Sequence, residues 1–137
     1  MTSVDETSAV LEFLQGQTAL TSLTGTRLWG DRREPPAGYK PADGVGICFK
    51  VRGGVDHDPA VIVDPSFQFK IYGHVDGTPD EATCRTAARV LHDCFQEQAN
   101  KHILAVRRET MPVTLQEPEL TWTYVLVFYK VMVRSSL

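Results

Sequence analysis

The sequence predicts an α+β fold: an antiparallel or mixed sheet of about four strands, two main helices packed on one face, and a long C-terminal strand. Three observations predict it. Cys84, Ala87, Ala88, Leu91, Cys94 and Phe95 recur at the spacing of an amphipathic helix. Residues 66–73 alternate instead, with Phe67, Phe69 and Ile71 set against Gln68, Lys70 and Tyr72, as in a strand with one buried face. The segments run helix, strands, helix, strands, an order that gathers helices on one side of a sheet.

Each element has a local reason. The first helix begins near Asp5, where Ser3 is placed to cap it and Glu6 to complete a capping box. Val10, Leu11 and Leu14 follow at helical spacing. Gly16 interrupts, residues 17–23 continue with Leu20 and Leu23, and Thr24-Gly25 ends the helix. A short extended piece, Arg27-Leu28-Trp29, leads into residues 30–44, where three prolines and three glycines deny regular structure. Residues 45–52 form a strand with Ile47, Phe49 and Val51 on one face. Residues 53–64 read as a hairpin excursion with turn signals at Gly53-Gly54 and Asp58-Pro59, and the alternating strand over 66–73 follows. The second main helix has Thr78 as cap, Pro79 at its first position, and Asp80 and Glu81 at the positive end of its dipole. It ends near Asn100. Residues 103–108 are a further strand and 111–118 a connection. The expected core is Leu11, Leu14, Leu20, Phe49, Phe69, Ile71, Ala87, Leu91 and Phe95.

The closing strand carries the most information. Residues 120–134, LTWTYVLVFYKVMVR, contain no Gly, Pro, Asp or Asn. Extended, they would span roughly 50 Å, whereas a globule of this chain length is about 37 Å across. From Val125 both faces are largely apolar, and such a strand requires cover on both. The helix layer supplies one side. A neighbouring subunit is expected on the other, through Val127, Tyr129, Val131 and Val133 or through the opposite face. The alternative is a bent strand buried wholly within one chain.

Composition bounds the function. The 137 residues read as one domain, 1–137, and the 42% apolar fraction is enough for a core. A net charge of −3 leaves no electrostatic footprint for nucleic acid. No apolar run reaches the roughly 20 residues of a membrane span, and the N-terminus lacks the form of a signal peptide. Folding in the cytoplasm is therefore expected. Cys48, Cys84 and Cys94 contain no CxxC and read as reduced, small apolar residues.

No reaction centre is legible, so the expectation is no catalytic residue, no cofactor and no metal. Asp56, His57, Asp58, His74 and Asp76 are ligand types, but their spacing matches no metal pattern and their positions suit turns. His92 and His102 are expected to be solvated, and Arg107 and Arg108 to lie on a solvated strand face or in an intersubunit ion pair. In the loop over 30–44, Arg32, Arg33 and Lys40 interleave with Asp31, Glu34 and Asp43. Two readings stand: a solvated loop, or a mobile arm docking on a partner.

The succession of segments resembles the tail terminator, or tail-completion, family of long-tailed bacteriophages over residues 10–134. LEFLQGQTALTSLTGTRLWG gives a helix, a second short turn, then Leu-Thr-Gly-x-Arg-hydrophobic-aromatic before a Pro-rich loop. VGICFKV, SFQFKIYG, the helix DEATCRTAARVLHDCF and the long closing strand follow in order. The long segment over 53–64 and Gly16 depart from the pattern and leave open a related head–tail neck or completion protein. The resemblance implies a non-enzymatic structural protein of the virion, at the head–tail interface, assembled in the host cytoplasm. It implies a self-associating ring, a hexamer, with the major tail tube protein and the head–tail connector as partners. A small cytoplasmic α+β enzyme or ligand-binding domain around His57, His74 and Asp76 is the competing reading; it leaves the two-faced strand unexplained.

Overall fold

The computed structural model describes residues 5–58, 62–75, 78–96, 102–117 and 122–134. Its elements in order are α1 (Glu6–Gln15), α2 (Thr18–Thr24), β1 (Leu28–Gly30), a 3-10 turn (Pro41–Asp43), β2 (Gly46–Asp58), β3 (Ile62–Tyr72), β4 (His74–Val75), β5 (Thr78–Pro79), α3 (Glu81–Gln96), β6 (Ile103–Arg108), β7 (Val113–Gln116) and β8 (Thr123–Arg134). The fold is α+β. Its main sheet has six strands in the order β1-β2-β3-β8-β6, with β7 also pairing to β8, and β4 and β5 form a separate pair. The sheet is mixed, because β1 runs parallel to β2 while the other pairings are antiparallel.

Local chemistry sets the helix ends. Asp5 caps α1 by accepting from the Thr7 amide at 2.9 Å, in place of the expected Ser3, which lies outside the described residues. Gly16 ends α1, as its position in the sequence suggests. At α3 the cap is Asp80, whose carboxylate accepts from the amide and hydroxyl of Thr83, each at 2.8 Å. Thr78 and Pro79, expected to open that helix, form β5 instead. An Asp oxygen aimed at the free amides of the first turn outcompetes a Thr two residues further out.

The Leu-Thr-Gly-x-Arg segment acts as a clasp. Gly25 takes φ +57° at the end of α2, and Arg27 donates from Nε to the Val45 carbonyl at 3.0 Å and from Nη2 to the Leu23 carbonyl at 3.3 Å. One cation thus ties a helix C-terminus, where the dipole favours it, to the start of the central hairpin. Leu28 then points into the core.

Phe49, Phe67 and Phe69 of the sheet, Phe95 of α3 and Tyr129 of β8 form one aromatic stack with centroid separations of 4.8–6.2 Å. Val10, Phe13 and Leu14 of α1 and Leu91 of α3 close over it. The expected core is buried except for Leu11, which is only half-buried at its edge.

Two expectations about strands are corrected. Gly53-Gly54 is not a turn: β2 runs on to Asp58, and the pairing with β3 shifts register between Val51 and Gly54. Gly53 has φ +118° there, so glycine accommodates a bulge without steric cost. Residues 113–116, assigned to a connection, are β7 and pair with residues 123–126 of β8. The prolines at 112 and 118 bracket that short strand and masked its alternation.

Candidate functional site: an open sheet flank

β8 is the spine of the sheet, and its two faces have different neighbours. Val125, Val127, Tyr129, Val131 and Val133 are each 0–1% exposed and belong to the chain's own core. The expectation that Val127, Tyr129, Val131 and Val133 meet a neighbouring subunit is therefore moved: α3, β6 and β3 of the same chain already enclose them. The opposite face, with Tyr124, Leu126, Phe128 and Met132, is half-buried.

That outer face is covered at one end by the loop between β1 and β2. Tyr39 is buried, its hydroxyl donates to the Gly44 carbonyl at 2.7 Å, and its ring meets Trp29, Tyr72 and Trp122 edge-on at 5.0–6.2 Å. A Cβ at Gly46 would lie 2.8 Å from the Trp29 ring, so glycine is what lets the indole settle there. Tyr72 donates to Glu117 at 2.8 Å, and Lys70 lies over the Tyr124 ring at 5.1 Å. Burial and the Glu117 carboxylate raise the Tyr72 hydroxyl far above its ordinary pKa. Burial also pushes the Cys48 thiol up to about 12.

The loop over 30–44 is accordingly not the free arm its prolines suggested. Tyr39 and Pro41 anchor its second half, because a large aromatic side chain recovers in buried area what the prolines withhold in backbone bonding. Arg32, Arg33 and Lys40 remain exposed on it. Arg32 donates to the Glu34 carbonyl at 3.1 Å, and Asp31 pairs with Lys50 at 3.1 Å.

The other flank of the sheet is bare. β6 and β7 lie end to end along β8, and no described strand pairs with their outer side. The exposed large apolar side chains among the described residues are Leu104 (36%), Met111 (69%), Val113 (50%) and Leu115 (38%), and all four lie on this flank or its connecting segment. A run of unpaired strand backbone flanked by exposed apolar side chains is a template for another chain. Sequence reasoning missed it, because it treated 111–118 as a connection; the alternation Val113-Thr114-Leu115-Gln116 was the available signal.

The remaining candidates do not assemble into a reaction centre among the described residues. No group of three His, Cys, Asp or Glu is placed to hold a metal there. The side chains of His57 and His74, and all of Asp76, lie outside the described residues. His92, expected to be solvated, is half-buried, with Nδ1 3.0 Å from the Tyr129 hydroxyl. His102, also expected in solvent, is buried, with Nδ1 3.3 Å from the Arg134 carbonyl, because the close of β8 folds over it. Arg107 is exposed, and Arg108 is half-buried, with Nη2 3.3 Å from the Met111 sulfur.

No family model matches the chain, and no curated protein does. Among solved structures, the chain is similar to one from the virion of a native gene transfer agent particle. The two superpose with a TM-score of 0.62 over 95% of each chain, at 13% sequence identity. The fold is thus shared, nearly end to end, with a chain found in a virion.

Proposed function

We propose that this protein is a structural component of a phage-type virion, and specifically a tail terminator. In this reading it forms a ring, a hexamer, on the end of the tail tube, stops tube polymerisation and presents a surface to the head–tail connector. The observation that carries the reading is the bare β6–β7 flank with Leu104, Val113 and Leu115 exposed along it. A sheet with one apolar edge left bare is suited to association with another copy, and closure of such contacts into a ring is what limits assembly. The likeness to a virion chain over 95% of both lengths, and the order of segments from residue 10 to 134, support the same reading.

The apolar half-buried face of β8 adds contact area beside this flank. Arg32, Arg33 and Lys40, held on an anchored loop, offer cations to carboxylates of the tube or connector. The test is direct. Native mass and negative-stain images over a range of concentrations read ring formation, and addition to polymerising tail tube protein reads tube length. A terminator gives rings and shortens the tubes. A protein that stays monomeric at every concentration and leaves tube length unchanged is not one. A related neck or completion protein is the second reading, favoured by the long β2–β3 hairpin that departs from the family pattern; it would bind the connector and leave free tubes growing.

A further inference from the structure

The helix layer of this fold is electrically polarised. Residues 1–26 contain Asp5, Glu6 and Glu12 and no Lys or Arg. Its acidic residues lie at the cap and along α1, at the β1 side of the sheet. There α1 packs so closely that Thr7 Cγ2 lies 2.8 Å from where a Cβ on Gly30 would sit. At the opposite side, α3 and the segment joining β6 to β7 enclose a cleft of about 210 Å3. Arg85, Arg89, His92 and Arg108 converge on it, over Met111 and Pro112. Arg85 has one carboxylate, Glu81, at 2.9 Å. Among the described residues no carboxylate pairs with Arg89 or Arg108.

We propose that this cleft receives α1 of the neighbouring copy, with the Glu12 carboxylate held by Arg89 and Arg108. The inference rests on the ring reading above and names the contact that sets its direction. Three features fit the two parts together. Glu12 is exposed on α1, and Leu11 beside it is the one expected core residue left half-buried, so α1 presents a carboxylate and an apolar side chain together. The cleft offers the complement, guanidinium groups above an apolar floor. Its volume falls short of the roughly 300–1,000 Å3 usual for a small-molecule ligand and suits one or two side chains.

Arg85, Arg89 and Arg108 bring positive charge to the cleft, offset in part by Glu81 beside Arg85. Burial and the nearby Arg108 hold the His92 imidazole below its ordinary pKa, opposed only by Asp93. Arg108 lies near the Tyr129 hydroxyl, which in turn meets His92 Nδ1 at 3.0 Å, so the cleft borders the core. Arg89 is exposed and pairs with no carboxylate among the described residues, which makes it the residue to change without disturbing the fold.

The experiment is a charge exchange on the full chain, read by sedimentation of the ring across protein concentration, with a thermal melt of each variant. Arg89→Glu and Glu12→Arg should each weaken assembly by about tenfold or more, as expected when a charge-assisted contact becomes a like-charge one. The double variant should recover most of the loss. Higher salt should weaken the wild-type ring and narrow the gap between it and the single variants. Rings that form normally in both single variants, with melts unchanged, would overturn this contact while leaving the ring standing. Two weakened singles with no recovery in the double would overturn the pairing of Glu12 with Arg89. A wild type that never assembles would overturn both the ring and its contact.

Discussion

The two flanks of the sheet have been finished differently by one chain. At the β1–β2 flank, a loop rich in proline and glycine folds back, and Tyr39 closes over Trp29, Tyr72 and Trp122. At the β6–β7 flank no part of the described chain returns, and Leu104, Met111, Val113 and Leu115 stay in solvent. Covering an edge is the ordinary way to prevent unwanted strand pairing. Here the chain's own loop covers the sheet beside β1, while the apolar β6–β7 edge stays bare, the kind of edge that can template pairing with another chain. The difference also divides the aromatic residues. The inner core stacks Phe49, Phe67, Phe69, Phe95 and Tyr129, while the outer cluster gathers Trp29, Tyr39, Tyr72 and Trp122, where the Gly44 carbonyl and Glu117 accept from the two tyrosines.

The comparison makes predictions of decreasing size. The largest concerns what both flanks depend on. Phe69 touches Phe49, Phe67, Phe95 and Tyr129, so Phe69→Ala should cost about 3–5 kcal/mol and Leu91→Ala about 2–5 kcal/mol in denaturant unfolding. Val131→Asp belongs with them: a charge at a site with no exposure should unfold the monomer rather than merely dissociate a ring. If Val131→Asp yields a folded monomer, the assignment of the two faces of β8 is wrong.

Next is the covered flank. Tyr39→Ala should cost about 3 kcal/mol and release the loop, with amides of residues 31–44 exchanging as fast as an unstructured segment. Tyr39→Phe removes only the bond to the Gly44 carbonyl and should cost about 1 kcal/mol. Slow exchange retained in Tyr39→Ala would show that the anchor lies elsewhere.

The open flank should respond in the opposite sense. Val113→Lys and Leu115→Lys should change monomer stability by no more than about 0.5 kcal/mol yet lower the assembled fraction in native mass spectra. Neutralising Arg32, Arg33 and Lys40 together should likewise spare the fold. It should weaken co-sedimentation with tail tubes, and added salt should erase the difference between wild type and variant, because exposed ion pairs are screened.

A pH series sharpens the picture of the interior. Burial raises the Cys48 thiol to about 12, the Cys84 thiol to about 11 and the Tyr129 hydroxyl to about 12. Folded-state values above unfolded ones mean the folded chain binds more protons in this window. These groups therefore cost no stability below pH 9, the ordinary thiol value, and lower it progressively from pH 9 toward 12. Melting temperatures at pH 8, 9.5 and 11 should fall in that order. Cys48 should react with thiol reagents at pH 8 only as fast as the chain opens. Rapid labelling of native protein would place Cys48 nearer solvent than its 1% exposure.

Much of this was legible from the sequence, because local patterns encode local structure. The stripe on α3, the alternation on β3, the two-faced β8 and the glycines ending α1 and α2 needed only spacing and side-chain type. With them came the α+β class and most of the core. The sequence does not say which face of β8 the chain itself covers, since both faces are apolar and only the packing of α3 distinguishes them. Nor does it show that Tyr39 pins the proline-rich loop, because its partners Trp29, Tyr72 and Trp122 are gathered from three distant segments. The open flank belongs to the same class: Leu104 and Val113 are ordinary strand residues until the strand order places them at an edge. A position along the chain is determined by neighbours within a few residues, whereas an edge, a face or a cleft exists only after distant strands have paired.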